Sequence, residues 1–210
     1  MTTAGSGSML GPYLTLFASA EIFIFVFIEI VTKLEPIERI ITKTAQFRDY
    51  IILVVLFGLF SIFGTYVGMQ TEYDSIMNIR DIGPIVAGLV AGPYAGLTVG
   101  LIGGIQRLSL GGASAVACSL GTILAGLLAG ALYHFSKGKL PGIILAMIFG
   151  ALMELLHGIL ILILVNPFSV ASTIFMENIP QMIIANSLGV GICIIVIHSR
   201  IEMIRIIHSK

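Results

Sequence analysis

Charge is what this sequence has least of. Only 10% of its 210 residues are Asp, Glu, Lys or Arg, where a soluble domain carries about 25%. With 57% hydrophobic residues and a mean hydropathy of +1.07, that scarcity excludes an ordinary soluble domain and points to an integral membrane protein. No long polar stretch interrupts the chain, which favours one compact membrane domain. The formal net charge is zero, so the basic surface that nucleic acid requires is missing and nucleic acid is not an expected partner. Cysteine is nearly absent. Cys118 and Cys193 both lie inside apolar runs and read as buried free thiols, not a disulfide framework. There is no P-loop, no CxxC and no Ser-His-Asp set, so neither catalysis nor a cofactor is expected.

What the chain does have is long apolar runs. A membrane span needs roughly 20 such residues, and clear ones fall at about 10–31, 50–69, 141–165 and 179–198. Polar separators lie at 32–49, 70–81, 136–140 and 166–178. Residues 1–8, "MTTAGSGS", are small and polar; they read as an expression tag or flexible start and are set apart from the fold. Residues 9–200 form the membrane domain and 201–210 begin a helix leaving it.

Basic residues set the orientation. Lys33, Arg39, Lys43 and Arg48 occupy 32–49, Lys137 and Lys139 occupy 136–140, and Arg200, Arg205 and Lys210 occupy the tail. Placing these inside puts the N-terminus and 70–81 outside and the C-terminus in the cytoplasm. The Gly-rich block 82–135 must then cross a net odd number of times. A re-entrant hairpin satisfies this, with 82–91 entering from outside, a turn at Gly92-Pro93 and 94–105 returning, followed by a full span over about 112–135. The competing reading is one straight Gly-rich helix over 82–103, close-packed through its small residues. The expected fold is therefore an all-α polytopic membrane protein. It has five to six transmembrane helices and a Gly/Pro-broken hairpin at about 82–105.

In the hairpin arrangement Arg80 and Arg107, 27 positions apart, become neighbours. Guanidinium presents a planar fork that matches a carboxylate. Gly111 and Gly112 precede the next helix, whose N-terminal N–H groups favour an anion. Ser114 and Cys118 are four apart on one face of that helix. Together these six residues form the candidate ligand site, with Asn78, Ser109, Glu154, His157 and Asn186 as candidate cavity lining. Two plainer readings compete. The arginines could snorkel to headgroups, or Arg80 could make a surface ion pair with Asp81, Asp74 or Glu72, worth little. Glu154 and His157 at i, i+3 suit a buried hydrogen bond; two ligand candidates are too few for a metal site, and none is expected.

The run from Asn78, "NIRDIGPIVAGLVAGPYAGLTVGLIGGIQRLSLGGASAVACSLGTILAGLLAG", resembles the core signature of the LytS/YhcK-type five-transmembrane receptor domain (5TMR-LYT), the input domain of sensor histidine kinases. "ELLHG" and "IIANSLGVGI" resemble its later motifs, and the likeness covers about residues 45–200. It implies a prokaryotic plasma-membrane sensor. The chain would bind a small organic anion, pyruvate-like in some members, and signal to a cytoplasmic output domain or response-regulator system that controls the cell envelope in others. It also implies that the ligand-sensing arginines correspond to Arg80 and Arg107, and the family cysteine to Cys118. No kinase follows Lys210, so the polypeptide is expected to be either a truncated receptor or a free-standing one, and not an enzyme. The alternative is the substrate-binding subunit of a vitamin-type uptake transporter. The tail favours the receptor, because Ile201, Ile204, Ile206 and Ile207 with Met203 give an amphipathic helix suited to a homodimer. The first span has no clear small-residue docking stripe.

Overall fold

A computed structural model describes residues 10–209; residues 1–8, expected to be a tag or flexible start, lie outside the described residues. Helices α1 (Leu10–Val31), α2 (Glu35–Ile41) and α3 (Phe47–Tyr66) lead to a small antiparallel hairpin of β1 (Met69–Gln70) and β2 (Ile76–Met77). Then come α4 (Ile82–Ala91), α5 (Pro93–Ser109), α6 (Ala115–Phe135), α7 (Ile143–Leu164) and α8 (Phe168–His208). The fold is all-α and polytopic. Among the described residues α3, α6, α7 and α8 are long and apolar enough to cross a membrane. At 22 residues, α1 also has the length, about 33 Å.

Two ends of the bundle are defined by what ties them. At one end, Ser75 Oγ and Ser114 Oγ are 2.9 Å apart, Ala113 N–H donates to Tyr73 O at 3.2 Å, and Asn178 Nδ2 donates to Ser75 Oγ at 2.9 Å. This is the β-hairpin end. At the other, Arg200 pairs with Glu38 at 2.7 Å, Lys43 Nζ donates to Tyr133 Oη at 3.0 Å, and Arg39 makes two bonds to Asp49, at 2.9 and 2.7 Å. Asp49 also accepts from the Gln46 N–H at 2.8 Å, closing a capping box that starts α3. This is the basic end.

The Gly-rich block is a broken hairpin, as its breakers imply. Gly92 takes φ 89°, a conformation that L side chains avoid, and Pro93 starts α5 where its missing N–H is harmless. Both ends of the hairpin meet at the β-hairpin end of the bundle. Its turn reaches deep: a Cβ on Gly92 would sit 3.2 Å from the Tyr133 ring, near the far end of α6. The entry is not helical. Residues 78–81 descend as irregular backbone before α4 begins, and α4 has only 10 residues, about 15 Å, half a hydrocarbon core. Glycine permits the packing. A Cβ at Gly88 would lie 2.7 Å from both Gly126 O and Gly130 N, so backbones approach where side chains would hold them apart.

Two expectations are corrected. Residues 168–178 are not a loop but the first turns of α8, which runs 41 residues with Pro180 inside it. Ser, Thr and Asn disguise a helical stripe there, in which Ala171 and Ile174 are fully buried against Ile161 and Val165 of the α7 end. In the tail, Ile204 and Ile201 pack into the chain's own core. They do not form a free face; Met203, Ile206 and Ile207 remain exposed.

Candidate ligand-binding site

The irregular segment 78–81 is held open by side chains. Asn78 Oδ1 accepts from the Arg80 N–H at 3.1 Å, and the Asn78 carbonyl accepts from Asn186 Nδ2 of α8 at 3.0 Å. Ser61 of α3 donates to the Arg80 carbonyl at 3.2 Å. Backbone groups that a helix would satisfy internally are met by neighbours, which is the condition for irregular chain inside a membrane bundle. The result places Arg80 and Asp81 at the buried start of α4.

Helix α6 forms the site's wall. Ser114, Cys118 and Thr122 recur every four residues along one face. At the top rung Arg107 donates to Ser114 Oγ at 3.2 Å and to the Gly111 carbonyl at 2.5 Å. Two turns deeper, Arg80 Nε donates to Thr122 Oγ1 at 2.7 Å. Cys118 lies between, close to both guanidinium groups and to His157. Arg80 and Arg107 are both 0% exposed, so neither snorkels to solvent or headgroups.

Below the arginines is an acidic counterpart. Asp81 Oδ1 accepts from Thr122 Oγ1 at 2.6 Å and lies 3.4 Å from Arg80 Nε. His157 Nδ1 is 3.3 Å from Glu154 Oε2 and 3.7 Å from Asp81 Oδ2. One ligand atom each from Asp81, Glu154 and His157 fall within 4.8 Å of one another, so Asp81 adds a third to the pair seen in the sequence. Arg80 Nε, 3.4 Å from Asp81 Oδ1, sets a cation beside the trio.

Polar atoms are left over throughout. Arg80 Nη2, Arg107 Nε, Asp81 Oδ2, Glu154 Oε1, His157 Nε2 and Asn186 Oδ1 are buried with no hydrogen-bond partner. Arg107 also lacks a carboxylate within ion-pair distance among the described residues, since its bonds go to neutral oxygens. Buried polar groups are normally paired, and a lone buried cation is costly. Arg80 Nη2 and Arg107 Nε are thus donors still open to an acceptor.

The structure brings Arg80, Arg107, Ser114 and Cys118 together with Glu154, His157, Asn78 and Asn186. Three expected residues are placed differently. Gly111 gives its N–H to Leu108 O at 3.2 Å and offers Arg107 a carbonyl, so it is not an anion donor. Gly112 is exposed, with φ 90° against Asp74; both glycines serve the turn. Ser109 is exposed and bonds its own helix at Gln106 O, 2.7 Å away, so it lines nothing. Asp81 pairs with Arg80 as expected, but buried and not at the surface, whereas Asp74 takes Gln70 Nε2 at 3.0 Å. Sequence reading missed Thr122, Ser75 and the role of Asp81. The i, i+4, i+8 spacing of Ser114, Cys118 and Thr122 is visible in the sequence, but it does not by itself give Thr122 a partner.

Comparison with known proteins gives a consistent picture. The family model described as 5TMR of 5TMR-LYT matches residues 34–200. The chain is 30% identical over 154 residues to the sensor histidine kinase BtsS of Escherichia coli (strain K12), covering 71% of this chain and 27% of that protein. It is 33% identical over 174 residues to the sensor protein LytS of Bacillus subtilis (strain 168), covering 74% and 29%. To LytS of Staphylococcus epidermidis (strain RP62A) it is 27% identical over 190 residues, covering 82% and 32%. The chain thus matches about a third or less of the length of these curated relatives. No solved structure matches it. A signature extending from Leu34 to Arg200 takes in every element from α2 through most of α8, together with both buried arginines, and on that match the chain belongs to the 5TMR-LYT family of multi-pass membrane sensor domains.

Proposed function

We propose that this chain binds a small organic anion, a pyruvate-like carboxylate, between Arg80 and Arg107 from the outer side of a prokaryotic plasma membrane. The change passes through α8 to a cytoplasmic output domain or response-regulator system, with the receptor working as a homodimer. The N-terminus and the β-hairpin are outside and the basic end is cytoplasmic. The observation that carries the reading is Arg107: a guanidinium with no exposure, no carboxylate partner among the described residues and an unpaired Nε. A carboxylate beside it supplies the missing charge and accepts the leftover donors, with Arg80 Nη2 as the second contact. Cys118 and Ser114 set the width of the space between the two rungs.

A thermal-shift screen of small organic acids on the detergent-solubilised chain tests this, because a ligand that binds only the folded state raises apparent stability. Small monocarboxylates are expected to raise the unfolding temperature, and their amides are not. Equal shifts from acid and amide, or no shift from any acid, would rule the reading out. The transporter alternative makes a different demand: proteoliposomes would have to accumulate the same acid.

A further inference from the structure

The basic end holds a cavity of about 640 Å³, lined by neither Arg80 nor Arg107. That is within the roughly 300–1,000 Å³ of typical ligand pockets. Its floor is apolar, made by Leu89 and Val90 at the end of α4 and Ile201 of α8. Its rim is cationic, made by Lys43, Lys139 and Arg205. Against them stands a single acid, Glu202, whose contact with Arg205 is 3.6 Å long between two largely exposed side chains and so holds little. His198 is turned to the Pro141 carbonyl at 3.0 Å. Lys43 is fixed at the wall, its ammonium bonded to Tyr133 Oη and 4.5 Å over the ring centroid. The Lys139 ammonium has no partner among the described residues.

Cations at the rim of an oily crevice select an amphiphile. A soluble phosphate would use the lysines and leave the Leu89–Val90–Ile201 floor wet. A zwitterionic lipid would cover the floor and bring no net charge to the rim. An anionic phospholipid satisfies both, and basic pockets between transmembrane helices at the headgroup level are where such lipids lodge. We propose that this cavity binds one anionic phospholipid, its phosphate held by Lys43, Lys139 and Arg205 and its glycerol and upper acyl chain on the apolar floor. The site does not depend on the arginine reading. It does join the tail of α8 to the end of α4, the short helix whose other end carries Arg80 and Asp81.

Native mass spectrometry of the full chain, exchanged from vesicles of equal phosphatidylglycerol and phosphatidylcholine, tests this. The parent should retain one phosphatidylglycerol in clear excess over phosphatidylcholine. Lys139→Gln removes no side-chain hydrogen bond or ion pair among the described residues, and should lower that retention several-fold. Lys43→Gln/Lys139→Gln should abolish the preference, and Lys139→Arg should keep it. Arg48→Gln, on an exposed helix start outside the cavity, should change nothing. Equal retention of both lipids by the parent overturns the proposal, as does unchanged retention in Lys139→Gln. Displacement of the lipid by an equal concentration of glycerol 3-phosphate would also overturn it, because a soluble anion would then be the occupant.

Discussion

At the residue scale, Thr122 does the most with the least. One hydroxyl receives Arg80 Nε at 2.7 Å and donates to Asp81 Oδ1 at 2.6 Å, fixing a buried cation and a buried anion in register on α6. Replacing one partner of buried polar groups leaves the others unsatisfied at about 1–3 kcal/mol each. Thr122→Val keeps the shape and removes the hydroxyl, and is expected to destabilise the solubilised protein by about that amount in a denaturation measurement. Ser119→Ala, one turn away and bonded only to its own helix at Ala115 O, should be near neutral. Equal stability of the two variants would mean that the hydroxyl bridge does not hold the pair. Arg80 and Arg107 could be singled out from sequence because charge is rare in apolar runs. Thr122 and Ser75 could not, because hydroxyls are common in membrane helices and only the register of α6 against residues 78–81 gives them partners. Asp81 misled for the opposite reason: beside a polar loop an acid looks solvated. At Gly111 the sequence could not tell whether an N–H or a carbonyl would face the guanidinium.

At the element scale, the hairpin depends on glycine-to-backbone contact. A Cβ on Gly96 would press on the Gly126 carbonyl oxygen and lie 2.8 Å from Gly88 Cα. Nothing there is a flexible side chain that could move aside. Gly96→Ala is therefore expected to cost about 1–3 kcal/mol, the range for overpacking. Gly142→Ser, at the start of α7 with nothing within 4 Å of a new Cβ, should fall within about 0.5 kcal/mol. Denaturation of the two in the same detergent checks this; a neutral Gly96→Ala would mean that α4, α5 and α6 are more loosely packed than described. The breakers at Gly92 and Pro93 located this hairpin in the sequence. Its depth was hidden, because glycine count does not say how far a turn penetrates.

Helix α8 makes a second element-scale case. With Ile201 and Ile204 packed inward, the face that the α8 tail leaves open to a second copy is that of Met203, Ile206 and Ile207, which is exposed. Disulfide crosslinking of single cysteines in membranes should be strong at 203, 206 and 207 and weak at 201 and 204. A flat profile, or a maximum at 204, would reject that pairing face. The sequence showed the tail's amphipathicity but not its partner, since an apolar stripe fits a second copy as well as its own bundle.

At the scale of the whole molecule, two ends with different chemistry are joined by α4, α6 and α8. The basic end gathers Lys43, Lys139, Arg200 and Arg205, and the opposite end carries the β-hairpin and Arg107. If basic loops mark the cytoplasm, a cysteine placed at position 138 should react with an impermeant maleimide only after the membrane is opened. Labelling from intact cells would reverse the orientation and put the arginine site on the cytoplasmic side.

The central claim is that two enclosed guanidinium groups hold one small carboxylate. Titration calorimetry with the acid found by thermal shift, on the parent and on Arg107→Ala, Arg80→Lys and Arg48→Lys, tests it most directly. A buried charge-assisted contact is worth roughly 1.5–3 kcal/mol, so Arg107→Ala is expected to weaken binding about ten- to a hundred-fold. Arg80→Lys should weaken it as well, because an ammonium cannot reproduce the planar fork. Arg48→Lys, at a side chain 69% exposed, should bind like the parent. Parent-like affinity in both the Arg107→Ala and the Arg80→Lys proteins would contradict the account, and would leave the buried arginines as structural members of the α6 ladder.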